Sequence, residues 1–375
     1  MSGGQAVAKQ RGIGLVELMI AITLSLLLIA TVIGVFLSSK NSYRLQDAVS
    51  GLQENGRFAL SYMIQDIRMA GFMGCSNIDR LGVNNVVKGI TVSNTSQLDP
   101  TSVFFDPTSI VVGVENISAA DAIFGSGVGA LKAVPGTDAL IVRHAVSAGG
   151  ALTSKLASVS SDIQIDANNS LGLKAGDVFL VTDCIGADLL RASNVTTAAG
   201  TETIAHAAST YNTGTNLSKA YDTDAEVMPL QVTTYYIGDT GRKNAQNEPI
   251  QALYVAQRSA GQGGPLTLAS YTGELVEGVE DMQIEYGVDT NTDGDGIANQ
   301  ASDYQSAAKI TNDSTWDKVV SVRISLLILS ESGNATTTSG ALAQKYTFNG
   351  VTKTANDGRL RQVFSTVIGI RNRLL

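Results

Sequence analysis

Residues 13–37 form a 25-residue apolar run that carries one charged side chain, Glu17. In a helix rising about 1.5 Å per residue, that run spans roughly 37 Å, enough to cross the hydrocarbon core of a bilayer with some tilt. The twelve residues before it are polar, with Lys9 and Arg11 close to the run. A positive-inside reading therefore puts residues 1–12 in the cytoplasm and everything after residue 37 on the other side. A secretory signal would need a shorter apolar core followed by a small-x-small cleavage site. Here the run ends in Val35-Phe36-Leu37-Ser38-Ser39-Lys40, which offers no such site. Glu17 is the anomaly. A carboxylate near the bilayer centre costs about 2.5–3.5 kcal/mol, less near an interface, so one retained there calls for a partner.

The helical pattern continues past the apolar run. Leu45, Val49, Leu52, Gly56, Leu60, Met63, Ile67 and Ala70 recur at steps of three or four, and no Pro interrupts residues 13–72. This spacing predicts one helix over 13–72, apolar in its first half and amphipathic in its second. Gly71 and Gly74 read as its stop signals.

Beyond the helix the pattern changes to short apolar runs bounded by Gly, Asn, Asp, Ser and Thr. Strands are predicted at 109–115, 138–146, 177–183, 230–238, 252–258, 274–289, 319–330, 345–349 and 362–371. A stretch rich in Thr, Ala, Ser and Asn, 192–219, reads as a loop or boundary. The fold class is therefore α+β: a long N-terminal helix on a β-rich region, divided near residue 225 into parts 73–225 and 226–375. Trp316 reads as a packing anchor.

Composition limits the chemistry. With 44% hydrophobic and 16% charged residues, the 375-residue chain is too apolar for a disordered one. A net charge of −8 argues against a broad nucleic-acid surface. Two Cys and two His leave little for a zinc centre, an iron–sulfur cluster or a His-dependent triad. His144 and His206 lie in separate segments with no obvious acid or nucleophile beside them. Gly125–Gly129 lacks a P-loop Lys. No catalytic role is predicted.

The segment Arg11-Gly12-Ile13-Gly14-Leu15-Val16-Glu17-Leu18-Met19 resembles the class III signal of type IV pilins: a basic residue, Gly, a hydrophobic residue, then Glu-Leu and an apolar helix. Ile13 stands where Phe is usual, and Gly14 where Thr or Ser is usual. The resemblance implies cleavage between Gly12 and Ile13 by a prepilin peptidase, N-methylation of Ile13, and Glu17 as an assembly and registration residue. Loss of residues 1–12 takes the side-chain charge from −8 to about −10, since Lys9 and Arg11 leave with them. A freed ammonium group at Ile13 can be neutralised by Glu17 of a neighbouring subunit. Such a pair is tolerable when complete and strongly unfavourable when one member is missing.

Four further segments extend the resemblance: Arg68 to Cys75, Glu274 to Asp289, Trp316 to Leu329, and Arg359 to Asn372. In this order they are similar to the PilW family of type IV pilus minor pilins and, more distantly, to J-type minor pseudopilins of type II secretion. The resemblance implies a single-pass inner-membrane protein with a periplasmic ectodomain, later moved to the pilus tip. It implies partners among other minor pilins, the major pilin, the inner-membrane assembly platform and a tip adhesin. Twitching motility, adhesion and DNA uptake would follow. A pseudopilin role and a ligand-binding tip module are the alternatives; the acidic charge disfavours direct DNA binding and the few aromatics disfavour sugar stacking.

Two site expectations remain. Cys75 and Cys184 are the only cysteines. In an oxidising periplasm a bridge between them would close a loop of about 108 residues, worth up to about 4.7 kcal/mol in the chain-entropy picture; two buried free thiols are the alternative. Asp289, Asn291, Asp293 and Asp295 place oxygen ligands at alternate positions beside Gly294, as calcium favours. Gln300 stands where an EF-hand loop would carry its bidentate Glu, although Asp303 could substitute. The alternative is a polar hairpin tip.

Overall fold

The computed structural model describes residues 14–74, 110–118, 133–146, 149–208, 212, 214–244, 246–258, 261, 272–290, 300–331 and 343–373. Its first element is the helix α1, Leu15–Met69. Through residue 47 every position of α1 is exposed, and by length and composition α1 qualifies as a membrane-crossing helix. The hydroxyls in its apolar part are satisfied within the helix. Thr23 donates to the carbonyls of Met19 and Ile20, Ser25 to Ala21, and Thr31 to Leu28. None of the three is therefore left unpaired against lipid.

From Leu52 onward one face of α1 is buried: Leu52, Gly56, Ala59, Met63 and Ile67. The predicted stripe is this face with one slip, because Ala59 takes the buried place and Leu60 is half-buried. Each full-sized apolar side chain so buried contributes about 1.5–3 kcal/mol. Gly56 marks the closest approach: a Cβ there would fall 2.7 Å from the ring of Phe364. The helix ends where the glycines predicted. Gly71 and Gly74 have φ of 75° and 89°, a region that favours residues without a Cβ.

The strands before residue 226 are β1 (Val111–Val114), β2 (Ala139–Ala145), β3 (Gly150–Ala151), β4 (Ile163–Asp166), β5 (Val178–Thr182), β6 (Ala187–Arg191), β7 (Asn194–Ala198) and β8 (Thr201–Ala205). After them come β9 (Glu226–Lys243), β10 (Pro249–Arg258), β11 (Thr272–Glu277), β12 (Val279–Val288) and β13 (Asp303–Gln305). A short helix α2 (Ala307–Asp313) precedes β14 (Val319–Leu329), β15 (Lys345–Phe348), β16 (Val351–Thr354) and β17 (Arg361–Gly369).

The larger sheet runs β1-β2-β9-β10-β11, with β3 and β5 also paired to β9 and β6 to β5. Its spine is β9, whose first residues pair with β3 and β5, its middle with β2, and most of its length with β10. The expected division near residue 225 falls immediately before this strand. The second sheet runs β13-β12-β14-β17, and a smaller one runs β4-β8-β7. One core joins α1 to the two larger sheets. A separate core lies under β4, β5 and β8.

Two expectations change here. The strand predicted over 274–289 is broken at Gly278, whose φ is 81°; β11 before it belongs to the larger sheet and β12 after it to the second. A Cβ at Gly278 would lie 2.9 Å from the Leu329 carbonyl oxygen, so the corner needs a glycine. The stretch 192–219, expected as a loop or boundary, contains β7 and β8. The almost wholly exposed β7 lacks the alternation that would reveal it.

Candidate functional site

At the start of α1, the Gly14 N–H donates to Glu17 Oε2 at 3.0 Å. The carboxylate thus satisfies one of the donors a helix leaves open at its N-terminus, while remaining exposed to anything that approaches. Gly12 and Ile13 lie outside the described residues. The contact is local, made by a residue three positions along the same helix, and it puts Glu17 beside the end that a new amine would occupy.

The other end of α1 is tied to the head by three sets of contacts. Asp66 faces His144 of β2, with Oδ1 3.0 Å from Nε2. Its second oxygen accepts from the Tyr235 hydroxyl of β9, also at 3.0 Å. His144 Nδ1 lies 2.9 Å from the Ala145 carbonyl, an acceptor, so that nitrogen carries a proton. Burial by itself would lower the His144 pKa. The hydrogen bonds to Asp66 and to the Ala145 carbonyl, with the Asp66 charge, outweigh it and hold the imidazole above its ordinary value. The acid that partners His144 is not near it in the sequence: Asp66 lies 78 positions earlier.

The second set is backbone. Gly71 N–H donates to the Arg143 carbonyl at 2.8 Å, and Phe72 accepts from Ala145 N–H at 2.7 Å. The third comes from the far end of the chain. The Asn372 side-chain amide donates to the carbonyls of Met69 and Ala70 at 3.2 and 2.9 Å, satisfying acceptors that a helix C-terminus leaves open.

A further joint links the two sheets. Asp138, just before β2, accepts from the backbone N–H of Asn116 at 2.9 Å and of Ile284, on β12, at 2.8 Å. Burial pushes its pKa up to about 6, against the pull of those two donors and with the charges of Glu115 and Asp281 adding to the rise. Nearby, Tyr286 is fully buried and packs edge-on against Trp316, 5.0 Å between ring centres. Its hydroxyl occupies the space that a Cβ at Gly113 would need. The Trp316 indole N–H donates to Thr311 Oγ1 at 3.1 Å, so Trp316 is placed as packing.

Cys184 sits in the turn between β5 and β6 with φ of 71°. Asp183 shapes that turn by accepting from Ile185 and Gly186 N–H and pairs with Lys219. Cys75 lies outside the described residues, but its neighbour Gly74 packs toward Thr182 and Met228, 3.0 and 3.4 Å from where a Cβ would stand. Of the candidate calcium ligands, Asp289 is buried and accepts from Gln300 N–H at 3.0 Å. Asn291, Asp293 and Asp295 lie outside the described residues. Among the described residues, no group of three His, Cys, Asp or Glu side chains could hold a metal ion. His206 faces the Ser161 carbonyl at 2.9 Å, away from the contacts of His144.

The geometry is that of a bare apolar helix clamped at one end to a β-rich head. Residues 234–372 match the family model PilW, described as type IV pilus-assembly protein W. The match covers the second sheet and most of β9, together with the Asn372 clasp. No curated protein and no solved structure matches the chain.

Proposed function

From the match of residues 234–372 to the PilW family model, we propose that the chain works as a minor pilin of a type IV pilus. It is stored in the inner membrane through residues 13–37 with its head in the periplasm, then extracted to help initiate the pilus. It sits at or near the tip with other minor pilins, beneath an adhesin, and so supports twitching motility, attachment and DNA uptake. The observation that carries this reading is the exposed apolar run of α1 through residue 37, with Glu17 its one charge, continuous with a head that carries the family match. A helix this apolar needs lipid or other helices around it, and assembly exchanges one for the other.

Within this reading the prepilin peptidase cuts between Gly12 and Ile13, Ile13 is methylated, and Glu17 neutralises the Ile13 ammonium group of a neighbour inside a helix bundle. A Cys75–Cys184 bridge ties the end of the stalk to the β5–β6 turn; the approach of Gly74 to Thr182 supports it. Deleting the gene tests the whole. Loss of surface pili with type II secretion intact is expected. Lost secretion with normal pili would overturn the proposal in favour of a J-type pseudopilin.

A further inference from the structure

Between the apolar run and the head, α1 crosses a stretch with no buried residue. Its first buried residue is Leu52, while residues 38–47 are exposed throughout. Lys40, Tyr43 and Arg44 stand in this gap, and Tyr43 is 71% exposed. Lys40 and Arg44 are four positions apart and so share one helix face. Neither is paired among the described residues, and the nearest acid, Asp47, lies one turn farther from the apolar run.

The order of chemistry along the axis is apolar, then cationic and aromatic, then acidic. If residues 18–37 fill a hydrocarbon core of about 30 Å, Lys40 stands about 4.5 Å and Arg44 about 10 Å beyond it. Headgroups occupy roughly the next 5–7 Å. Helical side chains lean toward the helix N-terminus, so both cations reach back into that layer. Tyr43 falls near the level where amphipathic rings collect. Asp47 lies past the phosphates, where salt screens most of its repulsion from them.

We propose that Lys40, Tyr43 and Arg44 form a phosphate clamp for phospholipid headgroups on the leaflet facing the head. The clamp fixes the depth of α1 and leaves about 12 Å of helix between Arg44 and Leu52, which holds the head off the membrane. The inference rests on the membrane-spanning reading of residues 13–37. The phosphate, common to all phospholipids, is the group recognised; a guanidinium fork suits it in two-point contact.

The test uses the full chain, labelled with ¹³C-arginine, in bilayers of phosphatidylglycerol and phosphatidylethanolamine. Solid-state NMR then measures dephasing of guanidinium carbons by lipid phosphorus. A dephased arginine component that disappears in Arg44→Gln is expected, and with ¹³C-lysine Arg44→Lys should add a dephased component beyond the one Lys40 gives in the parent. Flotation with the lipid separates the possible failures. A chain that floats but shows the same dephasing before and after Arg44→Gln overturns the clamp alone. A chain that does not float overturns the spanning reading and the clamp with it.

Discussion

Asp66 of the stalk helix and His144 of the head meet at 3.0 Å, each nearly excluded from solvent, and the carboxylate also holds the hydroxyl of Tyr235. One side chain of α1 thereby binds two strands of the larger sheet. Removing it leaves two buried polar groups without their shared acceptor, and such losses cost several times what the intact contact contributes. Asp66→Ala should therefore lower stability by about 2–4 kcal/mol, measured by denaturation of the full chain in detergent. Little change would mean that the backbone and Asn372 contacts alone hold the joint.

The same pair carries a pH signature. The folded-state pKa of His144 is raised, so its contribution is fully present below the unfolded value of about 6.5 and is lost as pH rises through the folded pKa. As pH rises above about 6.5 the parent should lose stability. His144→Gln should flatten that slope, and denaturation midpoints across the range would show it.

Asp138 gives a second window. Its pKa rises from 3.8 to about 6 on folding, so the stability it adds is complete below pH 3.8 and is lost by the time pH passes about 6. The span corresponds to about 3 kcal/mol. Asp138→Asn should remove this part of the pH dependence while losing one of two backbone hydrogen bonds. An unchanged profile between pH 4 and 6 would assign the dependence elsewhere.

Gly56 should resist enlargement. In a free helix Gly→Ala gains about 1 kcal/mol, but here the new methyl meets the Phe364 ring at 2.7 Å. Gly56→Leu should cost roughly 1–3 kcal/mol by overpacking. Adding Phe364→Ala should recover part of that loss, a coupling that a double-mutant cycle would measure.

Glu17→Ala should leave membrane levels unharmed, because it removes a carboxylate from an apolar helix. Incorporation into pili should fall, because an ammonium group packed among helices would lose its partner. Quantified incorporation equal to that of the parent would rule out a registration role.

How much of this was legible beforehand differs by element, for physical reasons. The span and end of α1 were, because helical periodicity and terminal glycines are local signals. The slip from Leu60 to Ala59 was not, since which of two adjacent small or apolar residues faces the sheet depends on how closely Gly56 lets the helix approach. The break at Gly278 was hidden because apolar residues continue on both sides of it. His144 looked isolated because its acid lies on the stalk, and Tyr286 looked like an ordinary strand residue because Gly113, which makes room for it, lies in another strand. Pairings between distant segments leave no periodic trace.

The Asn372 clasp sets a timetable. The carbonyls it covers belong to residues 302 and 303 positions earlier, and synthesis at 5–20 residues per second separates the two by roughly 15–60 s. The apolar helix can enter the bilayer long before its far end is closed. For that interval the newborn subunit is anchored but unfinished, and a chain stalled before residue 372 would be held in the membrane with an open-ended stalk.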